Sequence, residues 1–229
     1  MPDPASPATL VVGDGDVPAR TALERAWPGW AADVTLVIGA DGGAAHAVAL
    51  GWQPDLVIGD LDSLAPRDAD RLARAGVPIE RWPVEKDQSD LELALRAALR
   101  RSPSPVTILG ALSGPRLDHA LGAIWLLALP AARGRSVTLL DATSRVRLLR
   151  GPGTIELVGR AGDLVTLLPF GTAARGVRTE GLAYQLDGAT LVFGPSRGLS
   201  NVRTGERAAI TLDRGRLLIV ESHPMEDPR

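Results

Sequence analysis

Apolar positions over about the first 140 residues fall into two alternating patterns. One is the short continuous apolar run: residues 8–13, Val34–Ile38, Leu56–Ile58, Val106–Leu109 and Ser136–Leu140, with a further short run at 77–82. Between these lie stretches with apolar residues at helical spacing: 18–27 (Ala22, Leu23, Ala26), 44–50 closed by Gly51, 66–75, 90–101 (Leu91, Ala94, Leu95, Ala98) and 116–129 (Leu117, Leu121, Ile124, Ala128). Ser89 stands three residues before Glu92, the spacing of a capping box, and so marks the start of the fourth helix. Strand–helix alternation with unbroken apolar strands predicts an α/β domain, a doubly wound parallel sheet with helices on both faces and right-handed crossovers.

The pattern changes at Arg150-Gly151-Pro152-Gly153. Beyond it, short β-prone runs occur at 154–158, 164–168, 176–179, 182–186, 190–193, 207–212 and 216–221, divided by turn residues. That texture predicts an antiparallel all-β sandwich or barrel. Asp213-Arg214-Gly215 reads as the turn of a β-hairpin joining the last two runs. A domain boundary is expected within 143–153, giving an α/β domain over 1–145 and a β-sandwich over 152–229, with His223 to Arg229 as a frayed tail.

Composition narrows the classes. The chain has 229 residues, 45% hydrophobic and 23% charged, as in globular domains, and aromatics are only 3%, so Leu, Val, Ile and Ala must build the core. A net charge of −2 argues against a broad nucleic-acid surface. The absence of cysteine excludes disulfides and thiolate metal sites. No apolar run is long enough to span a bilayer, and Met1–Pro7 lacks the features of a signal peptide, so a cytoplasmic protein is expected. Of 25 basic residues all but Lys86 are arginine. The bias has a genomic explanation, while the one lysine, between Glu85 and Asp87, hints at a compact ammonium.

Candidate chemistry clusters where strands end. The apolar run Leu56-Val57-Ile58 stops at Gly59 and opens into Asp60-Leu61-Asp62-Ser63. Two carboxylates there suit a hard cation such as Mg²⁺, which would in turn hold polyphosphate. Asp14 follows the first strand, Asp41-Gly42-Gly43 the second, and Arg116-Leu117-Asp118-His119 the fifth; Asp87 and Asp90 precede a helix. In a doubly wound sheet these loops converge on one rim. Each also has a structural reading: a glycine turn at 41–43, acids favoured at a helix start, a surface histidine, an arginine paired on its own helix. Asp60 and Asp62 resist that reading best, because adjacent acids repel unless a cation relieves them. Leu64 breaks the pattern of the haloacid-dehalogenase-like phosphatases, and the chain is short for a metal-dependent glycosyltransferase. No phosphate-binding loop ending in Gly-Lys-Ser/Thr is present, and Gly13-Asp14-Gly15 lacks the third glycine of a dinucleotide fingerprint.

Taken together, four blocks resemble the thiamine pyrophosphokinase (thiamine diphosphokinase) family: Ala40–Ala44, Pro54–Ser63, Lys86–Glu92 with Ala94-Leu95, and Gly110–His119. Thr179–Tyr184 and Gly198–Asn201 are similar to its two C-terminal blocks. The resemblance implies a catalytic, ATP- and metal-binding α/β domain and a C-terminal β-sandwich for thiamine binding and dimerisation. It implies a homodimer with thiamine at the subunit interface, and Mg²⁺-dependent transfer of a pyrophosphoryl group from ATP to the thiamine hydroxyl, releasing AMP. It assigns Asp60, Asp62, Asp90 and Arg116 to catalysis and Asp60, Asp62, Asp87 and Asp90 to the metal. Asp41, Gly42, Gly43, Lys86, Arg116, Asp118 and His119 would meet ATP; Gln88, Asp90, Ser200 and Asn201 would meet thiamine. Ser89 stands where members often have threonine, and Ser113-Gly114-Pro115 where a glycine pair commonly precedes the arginine. Val202 and Arg203, not an aromatic, follow Asn201, which leaves Tyr184 or a tryptophan to stack on thiamine. Two alternatives compete: a diphosphokinase of related fold acting on another primary alcohol such as a hydroxymethylpterin, and a non-catalytic thiamine- or nucleotide-binding protein.

Overall fold

The structure, a computed structural model, describes residues 8–224. Residues 1–7 and most of the expected tail lie outside the described residues; His223, at the start of that tail, is held instead, its Nδ1 2.9 Å from Asp163 Oδ1. Contacts divide the chain into two compact units, one running to Ala142 and the other from Thr143.

In the first unit the apolar runs are strands β1 (Ala8–Val12), β2 (Val34–Ala40), β3 (Leu56–Gly59), β4 (Ile79–Arg81), β5 (Val106–Leu109) and β6 (Val137–Leu140). They pair in parallel in the order β4-β3-β2-β1-β5-β6. The intervening helices are α1 (Arg20–Ala26), α2 (Gly43–Ala49), α3 (Pro66–Arg74), α4 (Asp90–Arg101) and α5 (Leu117–Leu126). Successive side chains of a strand face opposite ways, so both faces need cover. Leu10, Val12, Val37, Leu109 and Leu140 pack with Leu23 and Trp27 of the α1 region and Ala47 and Leu50 of the α2 region. Val11, Ile38, Ile58 and Ile108, also fully buried, alternate with these, and α4 lies over β1, β2 and β3. Ser89 caps α4 by accepting from the Glu92 N–H at 3.2 Å. The Glu92 carboxylate, in contrast, accepts from Arg96 Nε at 2.8 Å.

Helix α5 departs from the expected stripe. Leu117 and Leu121 are exposed, with Trp125 one turn further on (73%, 45% and 66% exposed), while Ala123 and Leu126 are buried. The helix also stops at Leu126, short of Ala128, and a 3-10 turn at Pro130–Ala132 follows. Apolar residues lie nearly all round this helix, so spacing alone does not select its buried face.

The second unit is a β-sandwich. Strands β7 (Ser144–Arg150), β9 (Leu164–Pro169), β12 (Asn201–Val202) and β14 (Arg216–Ser222) form one sheet, in the order β12-β9-β14-β7. Strands β8 (Gly153–Val158), β10 (Ala174–Glu180), β11 (Ala189–Leu191) and β13 (Arg207–Leu212) form the other, in the order β11-β10-β13-β8. Leu149, Leu157, Leu167, Val177, Ile210 and Ile219 are among the residues packed between the sheets. The stretch 144–150, within the expected boundary, is instead a strand that pairs along its length with β14, from Ser144↔Ser222 to Arg150↔Arg216. The expected hairpin at 213–215 is not one: β13 pairs with β8 and β10, and β14 with β7 and β9, so the turn carries the chain from one sheet to the other. Burying apolar residues on the inner faces of both strands favours this corner over direct pairing. The run 182–186 contributes a single bridge, Leu182↔Arg203, rather than a strand.

One polar cluster inside this unit had no counterpart in the sequence reading. Glu221 on β14 is 1% exposed and accepts from Arg145 (2.6 and 2.9 Å), Arg147 (2.7 Å) and Arg203 (3.1 Å). Burial alone would raise its pKa, but the three guanidinium groups hold it below the usual carboxylate range.

Candidate active site

The strand order reverses between β1 and β5, since the chain steps outward to β4 on one side of β1 and then returns to lay β5 on the other. A doubly wound sheet binds ligands outside the carboxyl ends of its strands at such a reversal. A cleft of about 460 Å³ opens there, lined by the loops after β1, β2, β3 and β5 and the start of α4. Its walls approach closely because glycines form them. A Cβ on Gly15 would lie 2.4 Å from the Ser113 oxygen, and one on Gly13 would lie 2.7 Å from the Gly110 oxygen.

The Asp-x-Asp loop is built as its sequence suggests. Leu61 packs toward the apolar cluster of Val57, Leu64 and Leu72, and of its neighbours Asp60 is half-buried and Asp62 exposed. Holding this shape places Leu61 at φ 68 and Asp41 at φ 49. Left-handed backbone costs a non-glycine residue about 1–2 kcal/mol, and strain of this kind gathers at functional sites. Gly59, at φ 150, lets two acids close in: a Cβ there would lie 3.1 Å from the Asp90 Cγ and 3.2 Å from the Asp41 Cβ.

Carboxylate oxygens of Asp41, Asp60 and Asp62 lie within 4.8 Å of one another. Asp41 is 4% exposed, and its Oδ1 is buried without a hydrogen-bond partner, while its Oδ2 accepts from the Ser63 N–H at 3.3 Å. Burial pushes the Asp41 carboxyl up to about 6; the Ser63 N–H opposes the shift, and Asp62 and Asp90 add to it. An orphaned buried carboxylate oxygen among hard oxygen donors fits a Mg²⁺ ion. Lys86 bridges the acids on the other side, its Nζ 2.7 Å from Asp60 Oδ2 and 3.1 Å from Asp90 Oδ1. It lowers the pKa of Asp60. The Asp90 carboxyl is raised by burial, although Lys86 opposes the shift. The lysine itself is raised: burial would lower it, but its hydrogen bond to Asp60 and the charges of Asp90 and Asp60 prevail.

The expected site residues thus separate. Asp60 and Asp62 stand together, and Asp41, assigned to ATP, joins them. Asp90 stands beside them, paired with Lys86. Asp87 is exposed and lies outside the grouped carboxylates among the described residues, and Gln88 is half-buried next to it. Gly42 and Gly43 pass under the β1 loop, where a Cβ on Gly43 would lie 2.0 Å from the Val12 oxygen. Arg116, Asp118 and His119 line the cleft. Arg116 and Asp118 are exposed and paired, which raises the pKa of the arginine and lowers that of the aspartate. Asp14, read only as following β1, is a cleft residue too; its signal was its place between Gly13 and Gly15. In the second unit Ser200 is exposed, and its N–H donates to Thr166 Oγ1 at 3.0 Å. Asn201 is buried. Its side chain accepts from the Tyr184 N–H (2.9 Å) and donates to the Tyr184 oxygen (2.6 Å), so it fixes the backbone of an aromatic residue that is 70% exposed.

Acidic and basic groups gathered at a glycine-walled cleft on the reversal of a doubly wound sheet define an enzyme of the phosphate-transferring class. The family model described as "Thiamin pyrophosphokinase, catalytic domain" matches residues 29–139, and "Thiamin pyrophosphokinase, vitamin B1 binding domain" matches 154–217. The thiamine pyrophosphokinase of Bacillus subtilis is 28% identical over 195 residues, 85% of this chain and 90% of that protein. Thiamine pyrophosphokinase 1 of rice (Oryza sativa subsp. japonica) is 29% identical over 175 residues, 72% of this chain and 65% of that protein. The crystal structure of the B. subtilis thiamine pyrophosphokinase superposes with a TM-score of 0.82 at 26% identity, covering 95% of this chain and 99% of that one. The chain belongs to the thiamine pyrophosphokinase family, whose members are ATP-dependent diphosphotransferases. No helix among the described residues is long and apolar enough to cross a membrane.

Proposed function

We propose that the chain transfers the pyrophosphoryl group of ATP to the hydroxyl of thiamine, giving thiamine diphosphate and AMP, in the cytoplasm and with Mg²⁺. The grouping of Asp41, Asp60 and Asp62 beside the cleft is the observation that carries this reading. Those three carboxylates would hold Mg²⁺, which supplies charge neutralisation at the phosphoryl oxygens when bound. Asp87, exposed as it is, would act on the metal from outside that group. The remaining work falls to side chains, and it is mostly positioning and electrostatics. Lys86 holds Asp60 and Asp90 in register with each other. Arg116, at the rim with Asp118 and His119, meets the triphosphate. The thiamine oxygen attacks the β-phosphorus, a P–O bond forms there, and the bond to the bridging oxygen breaks, so that AMP leaves with that oxygen. Asp90 takes or orients the hydroxyl proton, a role suited to a carboxyl raised by burial.

Domain roles follow the same reading: the α/β unit binds ATP and metal, and the β-sandwich binds thiamine and dimerises. Ser200, Gln88 and Asn201 would meet thiamine, with Asn201 acting through Tyr184. The active enzyme is a homodimer with thiamine at the interface between copies. Supporting this, the exposed apolar stripe Leu117, Leu121 and Trp125 on α5 offers a face for a second copy.

AMP release from ATP, assayed with thiamine, with a hydroxymethylpterin and with neither, tests the acceptor. Thiamine-dependent AMP is expected, and its absence refutes the proposal. Asp62→Asn should lower kcat at least about 10²-fold, on the order of 3 kcal/mol, with the melting temperature of the fold retained. Near-normal turnover would remove Asp62 from the metal site.

A further inference from the structure

The loop between β5 and α5 forms one wall of the cleft, through Gly110, Ala111, Ser113, Gly114, Pro115 and Arg116. Its first residues are stitched to the loop after β1 by backbone hydrogen bonds: Gly13 N–H to the Leu109 oxygen at 2.8 Å, and Gly15 N–H to the Gly110 oxygen at 3.0 Å. Ser113 is held in two directions. Its carbonyl oxygen accepts from the Asp16 N–H at 3.2 Å, and its hydroxyl donates to Asp141 Oδ2. Asp141 directly follows β6 and is 7% exposed, and its own carbonyl oxygen accepts from the buried Trp27 Nε1 at 2.7 Å. Three consecutive elements of the rim, the ends of β1, β5 and β6, therefore meet at one serine. Past it the chain turns through Gly114, at φ 130, and reaches Arg116 two residues later.

A carboxylate held this far from solvent is costly unless its hydrogen bonds compensate, and a hydroxyl donated to a charged acceptor is among the stronger ones. We propose that Asp141, acting through the Ser113 hydroxyl, is a positioning residue that fixes the β5–α5 loop and thereby sets where Arg116 meets the phosphates of ATP. The phosphate part rests on the function proposed above; the loop-fixing part does not. Asp141 touches no reacting atom. Its effect is to keep the cleft wall in the shape that the nucleotide enters, so its loss weakens use of ATP and leaves the affinity for thiamine alone.

The test uses the full chain with Ser113→Ala, Ser113→Thr and Asp141→Asn. Ser113 is exposed, so Ser113→Ala folds even where the buried Asp141 substitution does not. Amide hydrogen exchange at 110–116, measured without ligands, is expected to speed up in Ser113→Ala and to return toward the parent rate in Ser113→Thr. The KM for ATP should rise about five- to tenfold in Ser113→Ala, with kcat changed less than about twofold and the KM for thiamine unchanged. Unchanged loop exchange overturns the proposal. Faster exchange with an unchanged KM for ATP also overturns it, leaving the contact purely structural. If the parent protein forms no thiamine-dependent AMP, the proposed function fails by itself. Binding of Mg²⁺–ATP to the parent and Ser113→Ala proteins then decides the loop's role: weaker binding by the variant supports it, equal binding refutes it.

Discussion

Asp41→Asn should stabilise the metal-free protein while disabling it. The Asp41 carboxyl is buried and its pKa rises from 3.8 to about 6, so the fold prefers it neutral. A carboxyl raised in the folded state destabilises the fold above the folded pKa, and the penalty is relieved as the pH falls toward the unfolded value. The shift of about two pH units corresponds to roughly 3 kcal/mol at about pH 8, and only about 1 kcal/mol of it remains near pH 4.5. Asparagine keeps an oxygen to accept from the Ser63 N–H and places an NH₂ group near Asp62, so it removes the charge without orphaning its neighbours. For a chain of this length the melting temperature in EDTA should rise roughly 6–12 °C at about pH 8, and by about a third as much near pH 4.5. Adding Mg²⁺ at the higher pH should raise the melting temperature of the parent protein and move the variant little, because an amide is a weaker ligand than a carboxylate. Thermal melts at both pH values, with and without Mg²⁺, read all of this. A variant no more stable than its parent at the higher pH would refute the reasoning, as would an equal gap at the two pH values.

Gly59→Ala introduces a Cβ 3.1 Å from the Asp90 Cγ at φ 150, so it should cost about 1–3 kcal/mol of stability and lower kcat at least tenfold; unchanged turnover would show that the spacing of Asp41 and Asp90 is not critical. Glu221→Gln leaves three arginines around a neutral group, and loss of a buried partner should cost about 3–5 kcal/mol, read as a melting temperature roughly 10 °C lower. The pH dependence of Glu221 has the opposite sign to that of Asp41. Its folded pKa is lowered, so its stabilisation is present above about pH 4.5 and is lost as the pH falls through the folded value. A Glu221→Gln protein whose stability matches its parent above that range would contradict this account.

Local chemistry made much of this protein legible in the chain itself. An unbroken apolar run ending at Gly59 and two aspartates specify a buried strand and an acidic loop, because both signals lie within a few residues. Ser89 and Glu92 locate the start of α4 for the same reason, and the change from helical spacing to short β-prone runs near Gly151 marks two architectures. What the tertiary structure decided are relations between distant segments. The face that α5 buries depends on what packs against it, so Leu117 and Leu121 stand exposed although their spacing is that of a core stripe, and Trp125 is exposed beside them. The turn at 213–215 looks like a hairpin from its residues, yet the inner faces of two sheets had to be filled, and it became a corner. Asp41 rather than Asp87 joined Asp60 and Asp62, because β2 and β3 are neighbours in the sheet, while the 86–90 segment reaches Asp60 through Lys86 and leaves the Asp87 side chain exposed. The three arginines on Glu221 come from β7 and from the chain just after β12, up to 76 residues away in sequence. Spacing along a chain reports which face a residue takes within its own element; which elements face each other is set by the burial of surfaces that only the folded chain brings together.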